Sequence, residues 1–167
     1  MNFISLFTSF SGRINRAKWW IGIITLFVVG TICSILANPA AMAAMTNPEA
    51  AATNPDLLKP TVLQLVIGLV FSVLMLAVIF KRLNDRNWPS WVGIIIAIIY
   101  IGAQIAQYVL LQNITSIEEM SAATTPISVL YFAVFVFLLI DNGMLKGTSG
   151  PNQYGEDPLA HKNTEIA

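Results

Sequence analysis

The chain has 167 residues, of which 56% are hydrophobic and only 11% charged, and nine Lys and Arg balance nine Asp and Glu. Ordinary soluble domains carry roughly 25% charged residues. With zero net charge and one Cys, the composition excludes a disordered chain, a disulfide scaffold and a basic nucleic-acid-binding protein. It predicts an all-α membrane protein, because each transmembrane helix needs about 20 predominantly apolar residues.

The charges leave four uncharged gaps, and each contains a predicted transmembrane helix. The predicted spans lie near 19–37, 61–80, 91–111 and 124–140. The last is the shortest, and its polar start at Thr124, Thr125 and Pro126 leaves its outer end open. A soluble all-α core is the rival interpretation, but soluble helices need a polar face that these segments lack. A cleaved signal peptide is the alternative for the first span, whose apolar run is long for one.

The predicted domain organisation is one four-span domain over residues 1–158, packed as a four-helix bundle, followed by a flexible tail over 159–167. The lone Cys33 lies inside the first span and is expected to be a small packing residue. Residues 1–11 place four apolar side chains at helical spacing, which predicts a short amphipathic helix in the cytoplasmic interface, with a frayed N-terminus as the alternative. These four are Phe3, Leu6, Phe7 and Phe10.

Basic residues are concentrated in alternate connections, which predicts the orientation. Lys59 is the only base in the first and third connections, whereas eight bases lie in the N-terminal segment, the second connection and the tail. Because cytoplasmic loops carry the excess of Lys and Arg, both termini are expected to be cytoplasmic. All four Trp lie at the same predicted boundary, as in an interfacial aromatic belt: Trp19, Trp20, Trp88 and Trp91.

The first outer connection, residues 38–59, contains the dipeptide Asn-Pro three times, at 38–39, 47–48 and 54–55. Pro is expected to exclude regular helix there and to bias each preceding Asn toward extended or turn geometry. Met42 and Met45 are soft potential copper(I) ligands, but two Met without Cys or His are too few for a predicted metal site.

Three polar segments share the predicted cytoplasmic side. They are FSGRINRAKWW at 10–20, FKRLNDRNWPSW at 80–91 and GTSGPNQYGEDP at 147–158. Together they resemble the bacterial inner-membrane family called domain of unknown function 805, over residues 7 to 158. That family typically shows a GR-x-x-R-x-x-[FY]-W entry, an RRLHD-like hairpin followed by Trp, and a G-x-x-G-x-N-x-[YF]-G-x-[DN]-P tail.

The resemblance implies a four-span inner-membrane protein and brings no established activity. One departure concerns the hairpin, where Asn84 stands in place of the usual His. A proton-transfer role that depends on this His could not apply to the present chain.

The polar segments support two interpretations. Arg13 and Arg16 are three apart and would share a face on a helix, where guanidinium groups can pair with lipid phosphates or with Asp85 and Asp157. The segments would then either hold one another in a structural cap or contact an anionic lipid headgroup or a protein partner. The candidate residues are Arg13, Arg16, Lys18, Lys81, Arg82, Asp85, Arg86, Asn152, Tyr154 and Asp157.

Within the spans, the notable polar residues are Gln64, Gln104 and Gln107, which are expected at similar depth in the outer half. They would either form interhelical hydrogen bonds or line a small polar cavity. The charged residues lie outside the spans or at their edges, and the sequence shows no catalytic constellation and no cofactor or metal motif.

We therefore expect a non-catalytic scaffold or accessory protein in the bacterial inner membrane. It would engage lipid headgroups or a protein partner through its basic, Trp-rich cytoplasmic face, and a second copy of the chain, in a homo-oligomer, is the alternative partner. The alternative is a small transporter or export component that uses the glutamine cavity.

Overall fold

The computed structural model describes residues 2–160, so residues 161–167 of the predicted tail lie outside it. The described chain is all-helical, and its only β feature is an isolated bridge between Asn152 and Gly155. Its α-helices are α1 (Phe3–Thr8), α2 (Arg16–Ala37), α3 (Pro39–Thr46), α4 (Pro48–Thr53), α5 (Val62–Asp85), α6 (Ser90–Gln112) and α7 (Ile117–Leu138). A 3₁₀ turn over Pro55–Leu58 precedes α5, and a π-helical turn over Leu139–Met144 follows α7.

Four helical segments are long and apolar enough to cross a membrane. They are Arg16–Ala37, Pro55–Asp85, Ser90–Gln112 and Ile117–Met144, with mean hydropathies between 2.2 and 2.8 in their most apolar windows. At about 1.5 Å per residue, even 22 residues exceed the roughly 30 Å of a hydrocarbon core. The predicted spans lie inside these segments, and the architecture is that of a multi-pass membrane protein.

The fourth segment begins earlier than its predicted span. The Ser116 hydroxyl accepts a hydrogen bond from the Glu119 backbone N–H at 3.2 Å, which caps the start of α7. The hydroxyls of Thr124 and Thr125 donate to the carbonyl oxygens of Met120 and Ser121, at 2.9 and 2.7 Å. The polar stretch is therefore part of the helix, which also continues through Pro126.

The expectation that Pro excludes helix from residues 38–59 is wrong. Pro39, Pro48 and Pro55 each occupy the first turn of a helical segment, where the missing N–H would have no intrahelical acceptor. Each preceding Asn has non-helical backbone angles, and its side chain accepts from a backbone N–H two or three residues later. Every Asn-Pro pair is thus a helix start rather than a break.

The described residues form two compact units. The first unit collects residues within 1–26, 73–97 and 134–167, and the second collects 27–72 and 98–133. Up to residue 160, the first unit contains seven Lys and Arg against four Asp and Glu, a net charge of +3. The second contains one Lys against four Asp and Glu, a net charge of −3.

Candidate functional site

The first unit is organised around a buried carboxylate, Asp85, at the C-terminal end of α5. Arg13 donates from Nε to Asp85 Oδ1 at 3.0 Å, and Arg82 pairs with Oδ2. All three residues are less than one-tenth exposed. Since buried charges are tolerated only when paired and hydrogen-bonded, the two guanidinium groups and the carboxylate depend on one another.

Main-chain carbonyl groups of the C-terminal segment saturate both guanidinium groups. Arg13 donates to the carbonyl oxygens of Thr148 (2.6 Å), Gly150 (2.7 Å) and Gly155 (3.1 Å). Arg82 donates to those of Asn142 at 2.7 Å and Leu145 at 2.5 Å. The backbone of residues 142–155 is therefore wrapped around two buried arginines.

Arg13 and Arg16 do not share a helix face, contrary to the prediction. Helix α2 begins at Arg16, and Arg13 lies in the non-helical segment before it, where the Asn15 side chain accepts from the Lys18 N–H at 3.0 Å. Arg13 is consequently buried, whereas Arg16 makes one exposed hydrogen bond from Nη1 to the Met144 carbonyl oxygen, at 2.9 Å. The two arginines have different surroundings and so different chemical uses.

A second buried acid, Asp141, is held in the π-helical turn. Its Oδ1 pairs with Arg86 Nε at 3.2 Å, and its Oδ2 accepts from Trp88 Nε1 at 3.0 Å. Arg86 also donates to the carbonyl oxygen of Lys146. Asp141 was not among the predicted site residues, and its partners were not predicted.

Lys81 is fully buried without a carboxylate partner among the described residues. Its ammonium group donates to the carbonyl oxygens of Leu6, at 2.9 Å, and Ser5. These oxygens belong to the last turn of α1, which carries the negative end of the helix dipole. The lysine therefore fixes α1 to α5 and is not available to an external anion.

Asn84, in the position of the family's usual His, acts as a hydrogen-bond donor. Its Nδ2 donates to the carbonyl oxygens of Gly12 at 3.1 Å and Phe10 at 3.4 Å. The main-chain carbonyl oxygen of Asn84 accepts from Asn152 Nδ2 at 2.9 Å. The side chain thus connects the N-terminal segment to α5, and this is a role in holding structure rather than in moving protons.

The remaining tail candidates hold the turns of residues 147–158. The Tyr154 hydroxyl donates to the Trp88 carbonyl oxygen at 2.6 Å. Asp157 accepts from the backbone N–H groups of Leu159 at 2.9 Å and Gly150 at 3.1 Å. These two bonds, together with the nearby Arg13, hold the pKa of Asp157 below its usual range.

The four Trp do not form a uniform belt. Trp19 is buried against Gly143, where an added Cβ would lie 2.9 Å from the indole ring, and Trp88 is bonded to Asp141. Only Trp20 and Trp91 are exposed, the latter by 60%. Trp19 and Trp88 are therefore packing residues at the ends of the spans. Position in the sequence alone could not distinguish them from the exposed Trp20 and Trp91.

Besides the buried Lys81, three cations of the first unit have no carboxylate partner in residues 2–160: Arg16, Lys18 and Lys146. Arg16 and Lys146 line a cavity of about 550 Å³ together with Ser149, Thr148 and Asp157. Arg82 and Asp85 also line this cavity, so three cations face two carboxylates and the lining has a surplus of one positive charge. Lys146 and Ser149 were not among the predicted site residues, although both belong to or adjoin the tail motif.

The second unit contains the predicted glutamine cluster. Gln64, Gln104 and Gln107 line one cavity of about 280 Å³, with Ser34 and Tyr108 among its other lining residues. Gln64 donates to the Ser34 carbonyl oxygen at 3.2 Å and accepts from Asn38 Nδ2 at 3.2 Å. Both sequence-based interpretations of the glutamines thus have a counterpart, since Gln64 makes interhelical bonds and all three border a polar cavity.

Comparison with known proteins identifies the chain at the level of its family. The family described as protein of unknown function (DUF805) has a model that matches residues 7–156. No curated protein and no solved structure matches the chain. The matched region includes the buried arginines, the Asp85 hairpin and most of the tail motif. The chain therefore belongs to the DUF805 family, as the three polar segments indicated.

Proposed function

We propose that the protein is a non-catalytic accessory protein of the bacterial inner membrane that engages anionic lipid headgroups through the basic cavity of its first unit. In this proposal the four spans pack as a bundle, both termini are cytoplasmic, and α1 lies in the interface. The exposed Phe3 and Ile4 on α1 support an interfacial position, because a short helix with a bare apolar side is suited to the headgroup boundary.

The observation that carries this proposal is the division of the cations into two classes. Arg13, Lys81, Arg82 and Arg86 are occupied by carboxylate or carbonyl oxygens of the chain itself. Arg16 makes one exposed hydrogen bond to the Met144 carbonyl oxygen, but neither it nor Lys146 has an acid partner in the described structure, and both line the same cavity. An anion that enters this cavity would meet free positive charge without disturbing the buried pairs.

Position along the spans favours a lipid phosphate as that anion. Arg16 is the first residue of one membrane-spanning segment, and Lys146 follows the last residue of another by two positions. Residues at span ends lie near headgroup depth, where basic pockets bind acidic phospholipids. The Ser149 hydroxyl that lines the cavity can add a hydrogen bond to a phosphate oxygen, whereas the Thr148 hydroxyl already donates to the Asp85 main-chain oxygen at 2.9 Å.

The test compares retained lipid in the wild-type chain and in an Arg16→Gln/Lys146→Gln double variant. Both would be released from nanodiscs of phosphatidylglycerol and phosphatidylethanolamine and weighed by native mass spectrometry. We expect the variant to lose about tenfold in phosphatidylglycerol retention, because two charge-assisted contacts are removed. Lys59→Gln, which removes the one base of the second unit, is the matched control and should retain lipid.

Equal phosphatidylglycerol retention in the wild type and the double variant would overturn the proposal for lipid. A co-purifying protein that is lost only in the double variant would instead assign the same face to a protein partner. Arg13→Ala is unsuitable for this purpose, because it removes a buried structural cation and would lower stability whatever the cavity binds.

The glutamine cavity supports a second candidate function, a small transporter or export component. It is favoured by one observation, that Gln64, Gln104 and Gln107 border a single cavity within predicted spans. If transport is the function, Gln64→Leu and Gln104→Leu should abolish it while Arg16→Gln/Lys146→Gln should not. The opposite pattern would exclude transport through this cavity.

A further inference from the structure

The cavity of the second unit differs in chemistry from the basic cavity of the first. Among residues 2–160 no charged side chain lines it, and its walls combine apolar groups with amides and hydroxyls. The nearest charged pair in the sequence, Lys59 with Asp56, is closed on itself at 2.7 Å. A ligand with a net charge would find no counterion here, so the cavity favours an uncharged ligand.

The polar groups left free in this cavity include three donors. Gln104 Oε1 accepts from the Ser72 hydroxyl at 3.0 Å, which leaves the Nε2 group without an acceptor among residues 2–160. The Gln107 amide and the Tyr108 hydroxyl likewise have no hydrogen-bond partner in that described range. These three donors belong to residues that line the cavity, so a ligand rich in acceptors would satisfy them.

The Gln104 amide is held in place rather than free to turn away. An added Cβ at Gly68 would lie 1.8 Å from Gln104 Nε2, so the amide packs directly on the α5 backbone. Its oxygen is fixed by Ser72 on the same helix. The amide is therefore fixed against α5, and Gln107 and Tyr108, which line the same cavity, follow Gln104 one turn further along α6.

The apolar lining and the size of the cavity set the remaining features of the ligand. Met45, Leu58, Leu65 and Leu111 border the cavity and would contact carbon atoms. About 280 Å³ is just below the range that encloses a drug-sized molecule. The cavity therefore fits the head of an amphiphile whose tail extends into the surrounding lipid.

We propose that this cavity binds the head of a neutral lipid that presents carbonyl oxygens to Gln104, Gln107 and Tyr108. Two classes of membrane molecule share this chemistry. An isoprenoid-type quinone offers two ring carbonyls, and a diacylglycerol offers two ester carbonyls. The site is separate from the anionic headgroup cavity and does not depend on it.

The experiment uses the full chain in nanodiscs of ether-linked phosphatidylcholine, whose chains lack carbonyl oxygens and so do not compete. A decyl-substituted benzoquinone and 1,2-dioctanoylglycerol are titrated separately, and bound ligand is measured by native mass spectrometry. Decylbenzene, which keeps the ring and tail but has no carbonyl, is the ligand control. We expect at least one carbonyl probe to bind about tenfold more tightly than decylbenzene.

The variants are Gln107→Leu/Tyr108→Phe and, as a matched control, Tyr100→Phe, which removes a hydroxyl from the same helix outside the cavity. The double variant should lose about tenfold in binding of the carbonyl probe, and Tyr100→Phe should retain it. Because Gln107 and Tyr108 bond to no other described residue, the double variant should fold. The single Tyr108→Phe variant serves if it does not.

Binding of only one carbonyl probe identifies which lipid class the cavity takes. Decylbenzene binding as tightly as both carbonyl probes, or undiminished binding by the variants, would overturn the proposal. The Arg16→Gln/Lys146→Gln variant should bind the neutral probe normally. Failure of the lipid site in the first unit would therefore be distinguishable from failure of this one.

Discussion

At the scale of single residues, the role of Asp85 explains why a charge motif can be structural. Both of its carboxylate oxygens are occupied by guanidinium groups, and its backbone oxygen accepts from the Thr148 N–H at 2.8 Å. Removing one partner of such a buried pair typically costs about 3–5 kcal/mol, because the other charge is left uncompensated. The sequence left two interpretations of Arg13, a structural cap formed by the polar segments or contact with a lipid headgroup or protein partner. The geometry favours the structural cap.

Gly147 provides a test of this buried cluster. A Cβ at Gly147 would lie 1.9 Å from Asp85 Oδ2, and that carboxylate is held by two arginines and has little freedom to move. We expect Gly147→Ala to lower the free energy of unfolding by about 3 kcal/mol, comparable to breaking a buried ion pair. The measurement is unfolding by SDS in mixed micelles, followed by the fluorescence of the four Trp.

Gly102→Ala is the control for that experiment. It lies inside α6 with no atom within 4 Å of an added Cβ. Alanine there should be neutral or stabilising by up to about 1 kcal/mol, because Gly is a poor helix former. If both substitutions cost the same, contact with Asp85 is not what constrains residue 147.

At the scale of elements, the three Asn-Pro pairs show that the same residue can end or begin a helix. Pro lacks an N–H and clashes with a preceding turn, but neither matters in the first turn. The Asn side chain supplies the missing acceptor for a free backbone N–H. The deciding factor is therefore the residue before each Pro, which the prediction treated only as a turn former.

The three caps are not equivalent, and this can be measured. Asn38 is buried; besides capping α3 through Ala41 N–H, it donates to the Lys59 carbonyl oxygen and to Gln64 Oε1. Asn47 caps α4 through Ala50 alone and is exposed. We expect Asn47→Ala to cost about 1 kcal/mol and Asn38→Ala about 2–3 kcal/mol in the free energy of unfolding. Equal losses would mean that the buried bonds of Asn38 contribute nothing.

The long helices were predictable and the connections between polar segments were not. A transmembrane span can be recognised from composition, because a run of about 20 uncharged apolar residues is compatible with few other structures. The start of α2 at Arg16 depends on Asn15 as a cap, and it falls between a buried Arg13 and an exposed Arg16. The similar depth of the three glutamines could be anticipated, because each helical residue advances by about 1.5 Å along the helix axis and sequence position therefore gives depth along a span.

At the scale of the whole molecule, the two units carry opposite net charges of +3 and −3 over the described residues. Four of the seven cations in the first unit have no acid partner among the described residues, so the asymmetry is not cancelled locally. An excess of Lys and Arg on one side is the property that fixes orientation during insertion. The charge distribution thus supports the proposed cytoplasmic position of the first unit.

Thiol labelling of single-cysteine variants tests that orientation. In a Cys33→Ser background, Ser149→Cys marks the first unit and Thr53→Cys the second, and both positions are exposed. A membrane-impermeant maleimide added to spheroplasts should label Thr53→Cys at once and Ser149→Cys only after permeabilisation. Labelling in the reverse order would place the basic unit outside and contradict the proposed topology.

The arginines of the first unit bind the C-terminal segment largely through main-chain carbonyl oxygens at Asn142, Met144, Leu145, Thr148, Gly150 and Gly155. Every residue type has the same main-chain carbonyl group, so these contacts do not depend on which side chain the residue carries. Spacing, in contrast, is fixed, because one inserted or deleted residue would move each later oxygen out of reach. For these carbonyl contacts, the number of residues in the segment matters and the chemistry of its exposed side chains does not.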